Sequence, residues 1–169
     1  MDSIAFIRHM IDSVRRQTDD SMKDTTVEQF NWAPPGTASP ISAVLVHLLN
    51  GEDFFFQTII QGRPKLWDSD GWGEKTGVKN TPDFGGNWEE FKQMTLALEP
   101  VLAYQGALRA AEDAYLDTLN PEELEREVEF SPNENTVAAI LIHIISHSFC
   151  HAGEIAVLKG IQGVKGLPY

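Results

Sequence analysis

Along the chain, apolar residues recur every three to four positions in four long stretches, separated by segments where that beat stops. From about Asp2 to Asp24, Ile4, Ile7, Ile11 and Val14 keep the interval, with Arg8, Asp12, Arg15 and Arg16 between them. That is the pattern of a helix with one buried stripe. Thr25 to Pro40 interrupts it with Pro34-Pro35-Gly36 and Ser39-Pro40; Ser39 reads as an N-cap with Pro40 at the first helical position. A second helix is predicted from Pro40 to about Gln61, with Ile41, Val44, Leu45, Leu48, Phe55 and Ile59 as its core face. From Arg63 to Trp88 the rhythm is lost among five glycines, two prolines and three tryptophans. A connection that long either spans a distance or carries a function.

Trp88 to Met94 reads as a short helix. A third long helix starts between Thr95 and Pro100 and ends near Leu119, facing inward through Val101, Leu102, Leu108, Ala111, Tyr115 and Leu119. Asn120-Pro121 closes it, and Glu125 to Phe130 alternates weakly, as a short extended piece does. The last helix opens after Ser131 to Thr136, with Ser131 and Thr136 as competing N-caps, and stops at Gly163. Its inward face is Val137, Ile140, Ile144, Ser148, Ile155 and Leu158. Four amphipathic helices predict an all-α, four-helix bundle, with residues 1–169 as a single domain.

Composition narrows the function classes. The formal net charge is −12, from 25 acidic and 13 basic residues. Nucleic-acid backbones and anionic membranes both require a positive surface, so neither is expected as the main partner. One cysteine, Cys150, excludes an internal disulfide framework and fits a reducing, cytoplasmic setting. The N-terminus lacks the basic and apolar regions of a secretion signal. No uninterrupted apolar run reaches the roughly 18 residues that span a bilayer.

Three of the five histidines, His143, His147 and His151, fall at four-residue intervals in the last helix. Side chains four apart share one helical face, and two such imidazoles converge on one point. Two readings stand at this stage: a metal site, or a partly buried helix that is rich in histidine. His147 and His151 lie within or beside the inward face, and His143 is rotated to its margin. His47 is the remaining histidine on a core-facing stretch, where a hydrogen-bonded core histidine is the common case. Together with the pair it would make a three-histidine site with positions left open, the layout of catalytic rather than structural zinc. The motif is not H-E-x-x-H, because Ser148-Phe149-Cys150 follows His147, and the glutamate base of the common metalloproteases is absent. Glu154, one turn beyond His151, is either a catalytic or orienting carboxylate or a solvated surface glutamate. His9 reads as a surface residue, and Cys150 as a packed thiol turned away from the histidine pair.

Asn31-Trp32-Ala33-Pro34, leading after Pro40 into Ile41-Ser42-Ala43-Val44-Leu45-Val46-His47-Leu48, combines with H-x3-H-x3-H and the helix order over essentially the whole chain. In these features the chain resembles the DinB/YfiT-like family of metalloenzymes. The resemblance implies an up-down-down-up bundle in which the long connection joins the second and third helices. It implies metal ligands at His47, His147 and His151, with His143 outside the set. Zinc or nickel is the implied divalent cofactor, and a second copy of the chain the implied partner, as a homodimer. The implied activity is that of a metal-dependent enzyme acting on a small molecule, by thiol transfer with a low-molecular-weight thiol. Metal-dependent hydrolysis and a non-catalytic, ligand-binding stress-response bundle are the alternatives. One departure is visible: Ala152-Gly153-Glu154 stands where the family often has Arg-Gly-Gln. The long connection, read as a lid, is expected at the metal end of the bundle.

Overall fold

The computed structural model describes residues 2–78, 81, 88–131 and 133–167. These residues are mostly helical, with one two-stranded sheet among them, in agreement with the all-α class. Helix α1, Ser3–Met22, is capped by Asp2, whose carboxylate accepts the Ala5 N–H at 2.8 Å. Of the stripe expected from the sequence it buries Ile7, Ile11 and Val14 and leaves Ile4 half-buried. A short α2, Val27–Asn31, follows where only a break was expected. Thr26 and Gln29 form a reciprocal capping box there, which secures five residues too short to show a periodicity.

Helix α3, Ile41–Asp53, begins one residue later than expected. Pro40 occupies the N-cap and makes no side-chain bond, so Ser39 is not the cap. Every residue from Ile41 to Asn50 is buried, as befits a helix enclosed by neighbours on all sides. From Phe54 to Ile60 the same helix continues in π geometry. The sequence predicts regular α-helix to Gln61; the wider turn instead brings Phe55, Phe56 and Gln57 inward together and leaves Ile59 only half-buried. Gly62, at φ 64°, ends the run.

Asp53, at the point where α3 widens, anchors the next segment. Its carboxylate accepts the N–H groups of Leu66 (2.9 Å) and Trp67 (2.8 Å) and the hydroxyl of Tyr104 (2.6 Å). This ties down α4, Leu66–Ser69, and α5, Trp72–Thr76, follows it closely. Trp67 and Trp72 both set their rings against Tyr104, at 5.1 and 5.5 Å. The long stretch without rhythm thus contains two short helices, while residues 79, 80 and 82–87 lie outside the described residues.

Helix α6, Trp88–Phe91, matches the short helix expected from Trp88. Helix α7, Leu98–Leu116, turns Val101, Tyr104, Leu108 and Tyr115 inward. Leu102 does not join them and is 40% exposed. Its place on the inner face is taken by Tyr104, whose hydroxyl has a buried acceptor in Asp53. Asn120 caps α8, Pro121–Glu125. Strand β1, Glu127–Ser131, then pairs antiparallel with β2, Glu134–Thr136.

Helix α9, Val137–Ile161, is capped by Thr136, whose hydroxyl accepts the Ala139 N–H, and this decides between the two candidate caps. It ends at Gly163 (φ 75°), with Val164 N–H bonded to the Lys159 carbonyl and Gly163 N–H to that of Gly160. These are the two bonds of a Schellman close. All six residues expected to face inward are buried. By length and composition α9 is the one described helix able to cross a membrane. Here it packs against α1 and α3, and α3 packs in turn against α7.

Candidate metal centre

Successive turns of α9 carry His147 and His151, and α3 brings His47 to meet them. The Nε2 atom of His147 lies 3.2 Å from Nε2 of His47 and 3.1 Å from Nε2 of His151. One ring nitrogen from each of the three falls within a 4.8 Å spread. Four-coordinate zinc, with bonds of about 2.0–2.1 Å, separates its ligand nitrogens by about 3.3 Å. Both separations from His147 are close to that value.

Two local features make the approach possible. Gly51 lies one turn after His47, and a Cβ at that position would come within 3.2 Å of His147 Cε1. The bare backbone there leaves room for the ring. On the other side, the Trp88 indole lies 5.0 Å from the His47 ring.

The electrostatics favour a neutral imidazole at His147. Burial pushes His147 down to about 3, and the neighbouring His151, His47 and His143 add to the shift. His151 bonds through Nδ1 to the Glu154 carboxylate at 2.8 Å. A carboxylate only accepts, so Nδ1 carries the proton and Nε2 presents its lone pair to the cluster. His147 Nε2 lies about 3 Å from both other Nε2 atoms, so a cation held between the three rings would take up their lone pairs together. The three-histidine donor set could hold a metal ion, for which imidazole is a common ligand.

The other candidates fall as follows. His143 stacks on His147, with centroids 6.1 Å apart and planes 18° from parallel, outside the three-nitrogen cluster. His9 is exposed on α1. Cys150 also faces away from the cluster, but it is exposed rather than packed. Glu154 is exposed and yet engaged, so the purely solvated reading does not hold. Ala152 is fully buried. Parts of the long connection reach the cluster: Trp88 lies against His47, and Lys65 Nζ and Thr81 Oγ1 both donate to Asn50 Oδ1, one turn beyond His47 on α3.

Beneath the cluster lies a polar layer that periodicity did not reveal. The Ser148 hydroxyl is 2.6 Å from Glu52 Oε1 and 2.8 Å from the Ile144 carbonyl. The hydroxyl donates toward both oxygens. Burial pushes the Glu52 carboxyl up, and the Ser148 hydrogen bond opposes that shift. Nearby, buried Glu112 pairs with Arg15 at 2.7 Å, and burial and the charge of Glu52 raise its carboxyl too. The available signal was a glutamate and a serine on otherwise apolar helical faces.

The helical architecture and inward-facing histidine cluster define a helical protein with a possible metal site. The chain matches the DinB superfamily model over residues 10–155 and belongs to that superfamily. A crystal structure of a conserved protein from Enterococcus faecalis superposes on it with a TM-score of 0.80, at 20% sequence identity. The match covers 96% of this chain and 99% of the other. At that identity the likeness speaks for the fold. A comparison with curated proteins gives no match.

Proposed function

We propose that this chain is a single-domain, cytoplasmic, metal-dependent enzyme built as an up-down-down-up four-helix bundle. His47, His147 and His151 are its ligands. The convergence of three imidazole nitrogens from two helices carries the reading. The bundle order is supported by the pairings of α1 with α9, α9 with α3, and α3 with α7, and by superfamily membership. When bound, a zinc or nickel ion supplies the charge that activates a substrate thiol or water. Glu154 holds the His151 tautomer, Gly51 admits the His147 ring, and Trp88 limits access of water from the His47 side.

Thiol transfer to a small electrophilic molecule is the proposed reaction, with a low-molecular-weight thiol as donor. The thiol sulfur bonds to the electrophilic carbon, the leaving group departs with its electron pair, and the thiol proton goes to solvent. The proposed assembly is a homodimer, with neither nucleic acid nor membrane as partner.

Elemental analysis of protein purified without an affinity tag should give about one divalent ion per chain. His47→Ala and His151→Ala should each lose it. Unchanged metal content in both variants would remove the three-histidine site. A panel of thiols with an electrophilic acceptor then tests the reaction. Metal-bearing protein that conjugates none of them would point to hydrolysis or to ligand binding without catalysis.

A further inference from the structure

A cavity of about 1010 Å³ opens between residues 57–63, α7 and β1, and none of the three clustered histidines lines it. That volume suits a small molecule. Its floor is low because α7 presents only the methyl groups of Ala111 and Ala114 there. One side is held rigid by a chain of bonds. The Tyr115 hydroxyl donates to Glu123 at 2.7 Å, and Arg126 grips the same carboxylate through Nε (2.9 Å) and Nη2 (2.8 Å). Arg126 Nη2 also donates to the Ile60 carbonyl at 2.7 Å. The Glu123 and Arg126 charges cancel, so the polar groups left over decide what the cavity recognises.

On the wall made by residues 57–63 the leftover groups are donors. The Arg63 guanidinium forms no ion pair among the described residues, in a chain with 25 acidic residues. Gln57 is 3% exposed, and its Nε2 has no acceptor. The amide cannot turn over to remedy this. Gln61 Nε2 donates to the Phe56 carbonyl at 3.0 Å and faces Gln57 Oε1 at 3.4 Å, so a flip would set two N–H groups against each other. On the β1 wall the leftover groups are acceptors. Glu127 and Glu129 both line the cavity, both are exposed, and neither is paired among the described residues.

We propose that this cavity is a binding site for a small zwitterion, with its carboxylate at Arg63 and Gln57 and its ammonium at Glu127 and Glu129. A simple anion would meet two glutamates, and a simple cation would leave the guanidinium and the buried amide N–H without an acceptor. A molecule bearing both charges answers both walls. The donor wall is built by the end of the π turn, a geometry frequent at functional sites. There the Arg63 N–H bonds to the Gln57 carbonyl at 2.8 Å, which fixes the two residues side by side. The site does not depend on the metal reading.

The test titrates glycine, 4-aminobutanoate and 6-aminohexanoate into the full chain by ligand-detected NMR, with hexanoate and hexylamine as singly charged controls. At least one zwitterion should bind about fivefold or more tightly than either control. Arg63→Gln should cut the advantage over hexylamine, and the double variant Glu127→Gln with Glu129→Gln the advantage over hexanoate, each about threefold or more. These three side chains are exposed, so the fold does not rest on them. Gln57→Leu, similar in bulk, should weaken the carboxylate-bearing ligands and leave hexylamine unchanged. Binding should persist after exhaustive chelation. If no zwitterion outcompetes both controls, Arg63 and the two glutamates are ordinary surface charges and the site is overturned. A preference that survives every variant, or one that disappears on chelation and so belongs to the histidine cluster, would overturn it as well.

Discussion

Gly51→Ala separates the needs of the helix from those of the site, because its two effects have opposite signs. Glycine inside a helix costs roughly 0.5–1 kcal/mol relative to alanine. Gly51 lies inside α3, so the substitution should stabilise the metal-free fold by that amount. For a chain of this length, that corresponds to a rise in Tm of about 1–4 °C. The new methyl, however, would lie 3.2 Å from His147 Cε1 and 3.7 Å from Nδ1. Carbon atoms in comfortable contact are about 3.5–4.0 Å apart, so the ring must give way by a few tenths of an ångström. Without metal, His147 is tethered only by its neighbours and can rotate. With metal, a ring that shares the ion with His47 and His151 has no such latitude, and disturbing what orients a ligand typically costs 10–100-fold in affinity. The measurement is a pair of experiments: thermal unfolding after exhaustive chelation, and zinc affinity by competition with a chromophoric chelator. A variant that gains stability and keeps wild-type zinc affinity would refute the claim that the site depends on the missing Cβ.

Three other expectations follow from the same geometry. Glu154→Ala should weaken zinc binding about 10–100-fold by releasing the His151 tautomer, whereas Glu154→Gln should fall between the variant and wild type; equal affinities in all three would mean the 2.8 Å contact is incidental. Asp53→Ala leaves three donors without their acceptor, at roughly 1–3 kcal/mol each, and should lower unfolding stability by about 3–9 kcal/mol in denaturant titration, with Tyr104→Phe costing about 1–2 kcal/mol. For pH, burial raises the Glu52 carboxyl above its ordinary 4.5, so the native state holds a proton that the unfolded chain gives up. That stabilisation is complete below about pH 4.5 and is lost as pH rises through the raised value. His147, held neutral, acts in the opposite direction below about pH 6.5, so the comparison is between Glu52→Gln and wild type: the variant should gain on wild type as pH rises above the ordinary carboxylate value, and a constant difference would contradict the assignment.

The sequence made some of this legible and hid the rest for identifiable reasons. His147 and His151 were paired by arithmetic, since residues four apart must meet on a helix. His47 had no such partner in its own segment; helical phase placed it inward, and the family resemblance selected it as a ligand. The inward face of α9 was readable because it buries one apolar residue per turn, while Leu102 was misplaced because phase alone does not weigh the buried hydroxyl contact of Tyr104. The capping box of Thr26 and Gln29 was present in the sequence, but five residues give no period to detect. The π segment left no local trace, because its geometry is set by what Phe55 and Phe56 pack against. The Glu154 contact was available by spacing, three residues from His151, and only the carboxylate's direction was missing.

Cys150 gives the molecule a practical property. It is the only thiol in the chain, adjacent in sequence to His151, and it emerges on the solvent side of α9. A nitroxide or fluorescent dye attached there would ride on the backbone of a ligand-bearing turn without occupying the ligands' face. Paramagnetic ions entering the cluster would then announce themselves by quenching or line broadening across the thickness of one helix. Most proteins must first be stripped of competing cysteines for such a measurement, whereas this one offers a single address in its native sequence.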